Sequence, residues 1–200
     1  MKELLPGIFT WSVLSEPHGY DFNGTLLVHP DGNLCIDPVD PSPDVLEELA
    51  RFSVSRILIT NRNHTRGARR VQEKTGAAIA IHSADAAYAE GQGVEVGATL
   101  AVGERIGPLE VIACPGKSPG EVALYDASRR LLIVGDAVIG NPPAGLSLLR
   151  EKVMDDPGLL RASVRKLLAL DFDAIVVGDG ESIVAGARKC LEQLVASFSG

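Results

Sequence analysis

The sequence predicts a mixed α/β fold in which sheets are covered on their outer faces by helices. Two observations point to it. Short β-branched runs dominate the first part and the middle of the chain, and a helical pattern follows several of them. The 200 residues also show no low-complexity stretch, linker or long repeat. Residues 1–200 therefore read as one domain with a substantial core.

The N-terminal third reads as the strands IFTWSVL, GTLLVH and NLCIDP, with the turn Pro30-Asp31-Gly32 between the last two. A helix is expected over 43–52, with Pro43 early, Asp44 and Glu47–Glu48 in its first turns and an apolar stripe of Val45, Leu46, Leu49 and Phe52. RILIT (56–60) is a buried strand, and the polar NRNHT then leads into a helix from Arg66 to Thr75, ended by Gly76. AAIAIH is another buried strand, followed by an Ala-rich helix near 83–90. Strands are expected at 99–103, 108–113, 121–125, 131–136 and 174–178, with helices at 156–170 and from Ser182 onward.

Composition narrows the class. Hydrophobic residues make up 46% and charged residues 22%, an ordinary balance for a soluble globular protein. The net charge of −7 argues against a broad phosphate-binding surface, so nucleic acid is not an expected partner. Cys35, Cys114 and Cys190 are widely spaced and odd in number, which fits a reducing compartment. The opening MKELLPGIFTWSVLSEPHGY is broken by Pro6, Gly7, Glu16 and Pro17, a poor leader, and no apolar run approaches the roughly 18 residues that span a bilayer. The expectation is a cytoplasmic protein without a membrane partner. No oligomeric state is implied.

Five stretches end or follow expected strands: CIDPVD (35–40), TNRNHTR (60–66), CPGKSPGEVALY (114–125), LLIVGDA (131–137) and VVGDGE (176–181). In this order they resemble the landmarks of the metallo-β-lactamase superfamily of zinc and iron hydrolases, over nearly the whole chain. Those landmarks are a strand ending Asp-x-Gly, then T-H-x-H-x-D-H, P-G-H-T-P-G-S, a strand ending G-D and one ending G-H-G. The resemblance implies a four-layer αββα sandwich.

It also implies which residues stand at the metal positions. Asn61 and Asn63 take the places of the first two histidines, Thr65 that of the aspartate and Arg66 that of the next histidine. Lys117 replaces the later histidine and Asp179 the last, while Asp136 stays as the family has it. Asn and Thr are weak neutral donors for zinc. Arg66 cannot lose its proton, and Lys117 does so only at considerable cost. No dinuclear zinc or iron site, and no other cofactor, is therefore expected.

Three uses of the remnant pocket stay open. Asp136, Asp179, Lys117 and Arg66 could close on one another as a salt-bridged network. Arg62, Arg66 and Lys117, with Asn61 and Asn63, could bind a small anionic molecule, the more so because Arg66 at a helix start opposes the dipole. A working hydrolase of the family would use either metal-free chemistry at Lys117, Asp136 and Asp179 or a rebuilt metal site. A rebuilt single-metal site would use His18 or His64 with Asp136 and Asp179. By motif position His64 is a spacer. His29 is expected to be exposed, and His82 to pack or bond to backbone.

Other patterns resolve as structural. Gly116-Lys117-Ser118-Pro119-Gly120 has the letters of a nucleophile elbow, but a strand follows where the elbow needs a helix. A phosphate loop would need glycine at 111, which is Val111. Ser118 is thus a loop residue. Asn61, Asn63 or Thr65 could cap the following helix, and Cys114 reads as a buried, inert thiol. Nothing in residues 138–155 distinguishes a lid from a subunit contact or plain connection.

Overall fold

A strand that is apolar at every position buries both faces, with alternate side chains on opposite sides of the sheet. In the computed structural model, which describes residues 1–141 and 145–198, two facing sheets form, and several of their strands are of this kind. The first half of the chain supplies β1 (Lys2–Leu5), β2 (Ile8–Ser15), β3 (Tyr20–Leu27), β4 (Asn33–Ile36), α1 (Pro43–Arg51), β5 (Val54–Ile59), α2 (Ala68–Thr75), β6 (Ala78–Ile81), α3 (Ser83–Glu90) and β7 (Val96–Thr99). Then come β8 (Arg105–Ile106), β9 (Leu109–Ala113), β10 (Val122–Asp126), β11 (Leu131–Val134), the hairpin β12 (Ile139–Asn141) and β13 (Gly145–Ser147), α4 (Pro157–Leu167), β14 (Ala174–Val177) and α5 (Ala187–Ala196).

β1 to β7 make one sheet in sequence order, antiparallel as far as β4 and parallel from β4 to β7. The second sheet has the order β14-β11-β10-β9-β8, with β11 and β14 parallel. Period-two alternation then sorts the core. Leu58 of β5, Leu124 of β10, Ile133 of β11 and Val176 of β14 meet between the sheets. Their neighbours Ile57 and Ile59 face Leu49 of α1 and Val71 of α2. On the opposite outer face, Leu132 and Val134 meet Leu160 and Val164 of α4 and Leu191 of α5. The result is the four-layer αββα sandwich.

The helix ends follow local chemistry. Ser42 caps α1 by accepting from the Val45 amide, and Asp156 caps α4 through Leu159, each followed by a proline. By contrast, α2 begins at Ala68 rather than Arg66, and its N-cap Gly67 makes no side-chain bond. The capping role expected of Asn61, Asn63 or Thr65 is therefore not used. Asn61 Oδ1 accepts instead from the Asn63 amide, and Thr65 bonds Gln92.

Some bounds also move. The strand expected at 99–103 is β7 at Val96–Thr99, because parallel pairing with β6 places it there and Gly103 (φ 82°) turns the chain soon after. Ile183 bridges to Ile175, so the last helix waits for Gly186 (φ 72°) and starts at Ala187. Within 138–155 lie β12, β13 and a 3₁₀ turn at Glu151–Val153, while 142–144 are outside the described residues. Among the described residues no helix is long and apolar enough to cross a membrane.

Leu58 is fully buried between the sheets. Leu58→Ala should lower unfolding stability by about 2–5 kcal/mol in urea titrations. A loss under about 1 kcal/mol would contradict this packing.

Candidate functional site

Several strands of the two sheets end at one edge of the sandwich, and that edge carries the chemistry. Asp37 follows β4, the loop Thr60–Arg66 follows β5, Asp136 follows β11 and Asp179 follows β14. The loop between β9 and β10 adds Lys117, Ser118 and Glu121.

At the centre stands His64, fully buried. Its Nδ1 lies 2.8 Å from Asp37 Oδ2, and its Nε2 lies 3.2 Å from Asp136 Oδ1. Carboxylates only accept, so satisfying both contacts requires a proton on each ring nitrogen. Burial alone would lower the imidazole pKa, but the Asp136 and Asp37 charges outweigh it and raise it from 6.5 to about 10. Burial would likewise raise Asp136, yet the His64, Lys117 and Arg66 charges hold its carboxyl below the usual range. His64 lies deep because Gly178 permits it: a Cβ there would come within 2.6 Å of His64 Cε1.

Two more cations stand alongside. Lys117 Nζ is 3.3 Å from Asp136 Oδ2 and donates to Asn63 Oδ1 at 2.8 Å. Arg66 donates through Nη2 to Asp179 Oδ1 at 2.8 Å, and its guanidinium lies 3.8 Å from the Phe22 ring centroid. Burial raises the Asp179 carboxyl, and the His64 and Arg66 charges only partly offset it. Glu121, raised strongly by burial and by Asp136, sits in the interior with neither carboxyl oxygen hydrogen-bonded among the described residues.

The loops are tied down by residues outside the motif positions. Fully buried Asp85 of α3 accepts from the Arg62 amide, the Ser118 hydroxyl and the Gly120 amide at 2.9, 2.5 and 3.0 Å. One carboxylate thus pins both motif loops. Asn23 joins β3 to the β14 end, donating from its side chain to the Val177 and Gly180 carbonyls. Asp37, held at φ 46°, also accepts from the Thr60 amide and hydroxyl.

Above this floor opens a cavity of about 680 Å³, lined in part by Asn63, Arg66, Lys117, Asp136 and Asp179. Five of the residues singled out from the sequence thus meet there. Others do not. Arg62 turns away to form a two-bonded pair with Asp155 and to stack on Tyr88, because its backbone is held by Asp85. Asn61 is buried beneath the site, with Nδ2 unpartnered among the described residues. His18 lines the cavity wall but bonds Ser15 and packs on Tyr20 and Phe22, apart from the carboxylates.

His64, far from being a spacer, is the hub, and one of its ring nitrogens lies with Asp136 and Asp179 carboxyl oxygens within 4.8 Å of one another. Ser118 is a buried donor rather than a plain loop residue. Cys114 is fully buried, and burial raises its thiol, as expected of an inert core cysteine. His29 is half-buried rather than exposed, and His82 caps α3.

A four-layer sandwich with its polar site at the strand ends defines a class, and comparison with known proteins supplies the family. The family model described as the metallo-beta-lactamase superfamily matches residues 1–198, and the chain belongs to that family. It is 29% identical over 180 residues to a hydroxyacylglutathione hydrolase of Cereibacter sphaeroides, covering 83% of this chain and 65% of that protein. It is 32% identical over 120 residues to the protein of that name in Ectopseudomonas mendocina, covering 56% of this chain and 46% of that one. The match therefore spans less than two thirds of either relative. Among solved structures the fold is similar to TTHA1623 in a di-iron-bound form (TM-score 0.69, 24% identity, 90% of this chain and 96% of that one). It is also similar to the DIM-1 metallo-beta-lactamase exposed to ceftazidime (TM-score 0.79, 14% identity, 99% and 96%). At those identities the likeness is one of fold.

Two outcomes follow from the geometry. The folded-state pKa of His64 lies above its unfolded value of 6.5, so its stabilisation is complete below pH 6.5 and is lost as pH rises through about 10. Urea midpoints measured from pH 6 to pH 10.5 should fall across that window, and a flat profile would contradict the doubly protonated ring. Of the four-residue network expected from the sequence, the structure pairs Lys117 with Asp136 and Arg66 with Asp179. Lys117→Ala should cost about 3 kcal/mol by stranding part of the Asp136 charge. An unchanged midpoint would contradict that pairing.

Proposed function

We propose that this member of the metallo-β-lactamase superfamily works without a dinuclear metal centre and binds a small anionic molecule in the cavity. The observation that carries the reading is the set of protein cations among the strand-end carboxylates. His64 spans Asp37 and Asp136, Lys117 sits on Asp136 and Arg66 on Asp179. A pair of divalent ions needs free donor lone pairs, which Arg66 and Lys117 do not offer at neutral pH. Asn61 is buried under the site and Asn63 Oδ1 is engaged by Lys117. The donor set does not fit a dinuclear centre.

Support for an anion comes from the cations left over. Arg66 Nη1 is buried without a partner, and Arg150 and Lys152 line the cavity with no ion pair among the described residues. The acids beside them are engaged elsewhere, Glu151 by Arg161 and Asp155 by Arg62. The open cavity counts against a purely structural role with the pocket closed by its own salt bridges.

A second reading has its own observation. The close grouping of His64, Asp136 and Asp179 could hold one zinc or iron ion, with Asp37 orienting the ring through Nδ1. Under it the chain would be a hydrolase, as the names of its relatives suggest. Against it, Arg66 and Lys117 already neutralise the two carboxylates and would compete with the ion.

Metal content by mass spectrometry, on protein freed of any histidine tag and dialysed without chelator, separates the two. We expect less than about 0.1 equivalent of zinc, iron or manganese, and a melting temperature unmoved by EDTA. One tightly held equivalent would replace this reading by the second, and two would overturn both.

A further inference from the structure

The cavity walls differ from its floor, and the difference speaks to what fills it. On one side stand the rings of the β2–β3 hairpin: His18 lies 5.6 Å from Tyr20 and 5.4 Å from Phe22 between centroids. The lining also has an aliphatic part, formed by Ile139 of β12 with Leu148, Leu149 and Val153. Aromatic groups packed at such spacing favour a further ring beside them. A volume of about 680 Å³ is of the size that holds a drug-sized molecule.

The floor sets the charge. His64, Lys117 and Arg66 face Asp37, Asp136 and Asp179, so these six groups balance in charge. The rim then adds Arg150 and Lys152, in a chain whose overall charge is −7. That surplus attracts an anion, yet Asp136 and Asp179, the carboxylates that line the cavity, repel a dense dianion more than a monoanion. Arg66 Nη1 is buried with no partner among the described residues, and its guanidinium is a planar group suited to carboxylate.

We propose that the cavity takes an aromatic monocarboxylate, its ring against the His18–Tyr20 wall and the aliphatic part of the lining, its carboxylate toward Arg66, Arg150 and Lys152. This rests on the anion-binding reading above and narrows it to a ligand class. The ring supplies apolar burial that a simple anion lacks, and the carboxylate supplies the charge that a neutral ring lacks.

The test titrates the full chain by calorimetry at low salt with 2-naphthoate, 2-naphthamide, acetate and inorganic phosphate. 2-Naphthoate should bind at least roughly tenfold more tightly than each of the other three. Tyr20→Ala should weaken naphthoate by about tenfold. The exposed pair Arg150→Ala with Lys152→Ala should weaken it about fivefold while leaving the melting temperature unchanged. Acetate or phosphate binding as tightly as naphthoate would overturn the aromatic assignment and leave the anion reading standing. Naphthamide binding as tightly as naphthoate, or no binding by any probe, would overturn both. Naphthoate binding that neither variant weakens would place the ligand elsewhere and overturn the proposal.

Discussion

A histidine ring held between two carboxylates governs the interior of this protein. Asp37 and Asp136 can each only accept from His64, so the ring must carry both protons and a full positive charge away from water. That charge makes two buried aspartates tolerable, since an isolated ionised carboxyl in such a place would instead take up a proton. Lys117 then meets the remaining Asp136 oxygen, and Arg66 does the same for Asp179. Remove the imidazolium, and the loops that carry these groups lose the charge around which they are arranged.

The scaffold is built to bring those groups to one place. Parallel neighbours β4 and β5 deliver Asp37 beside Thr60, and parallel β11 and β14 deliver Asp136 beside the Gly178–Asp179 turn. Close approach does the rest. Gly135 has no room for a Cβ against Thr60 Oγ1, only 2.1 Å from where it would stand, just as Gly178 has none against His64. Asp85 and Asn23 tie loops to framework at points where a carboxylate or an amide replaces missing backbone partners. The organisation resembles a metal site in which protein cations sit among the carboxylates.

Much of this fold was legible in the sequence. The strands 56–60, 131–136 and 174–178 stood out because burial on both faces demands uninterrupted apolar runs, and α1 stood out through its proline and acidic first turn. β1, β8, β12 and β13 escaped notice: two to four residues carry no periodicity, and only their partners make them strands. In the site, Arg66, Lys117, Asp136 and Asp179 could be placed from landmarks at strand ends. His64 falls on a spacer position because the alternation of the motif assigns ligands to its neighbours. The missed signal was Asp37, an acid at the end of the adjacent strand with no other evident partner. Arg62 failed differently, since a surface acid 93 residues away decides where its side chain goes. Asp85 was hidden as one polar residue in an Ala-rich helix.

The claim on which all of this turns is the charge of one ring, and nitrogen NMR reads it directly. In protein labelled with ¹⁵N at histidine, measured at pH 8, His64 should show both ring nitrogens protonated. A neutral His64 with one unprotonated or metal-bound nitrogen would contradict the account and return the site to metal chemistry.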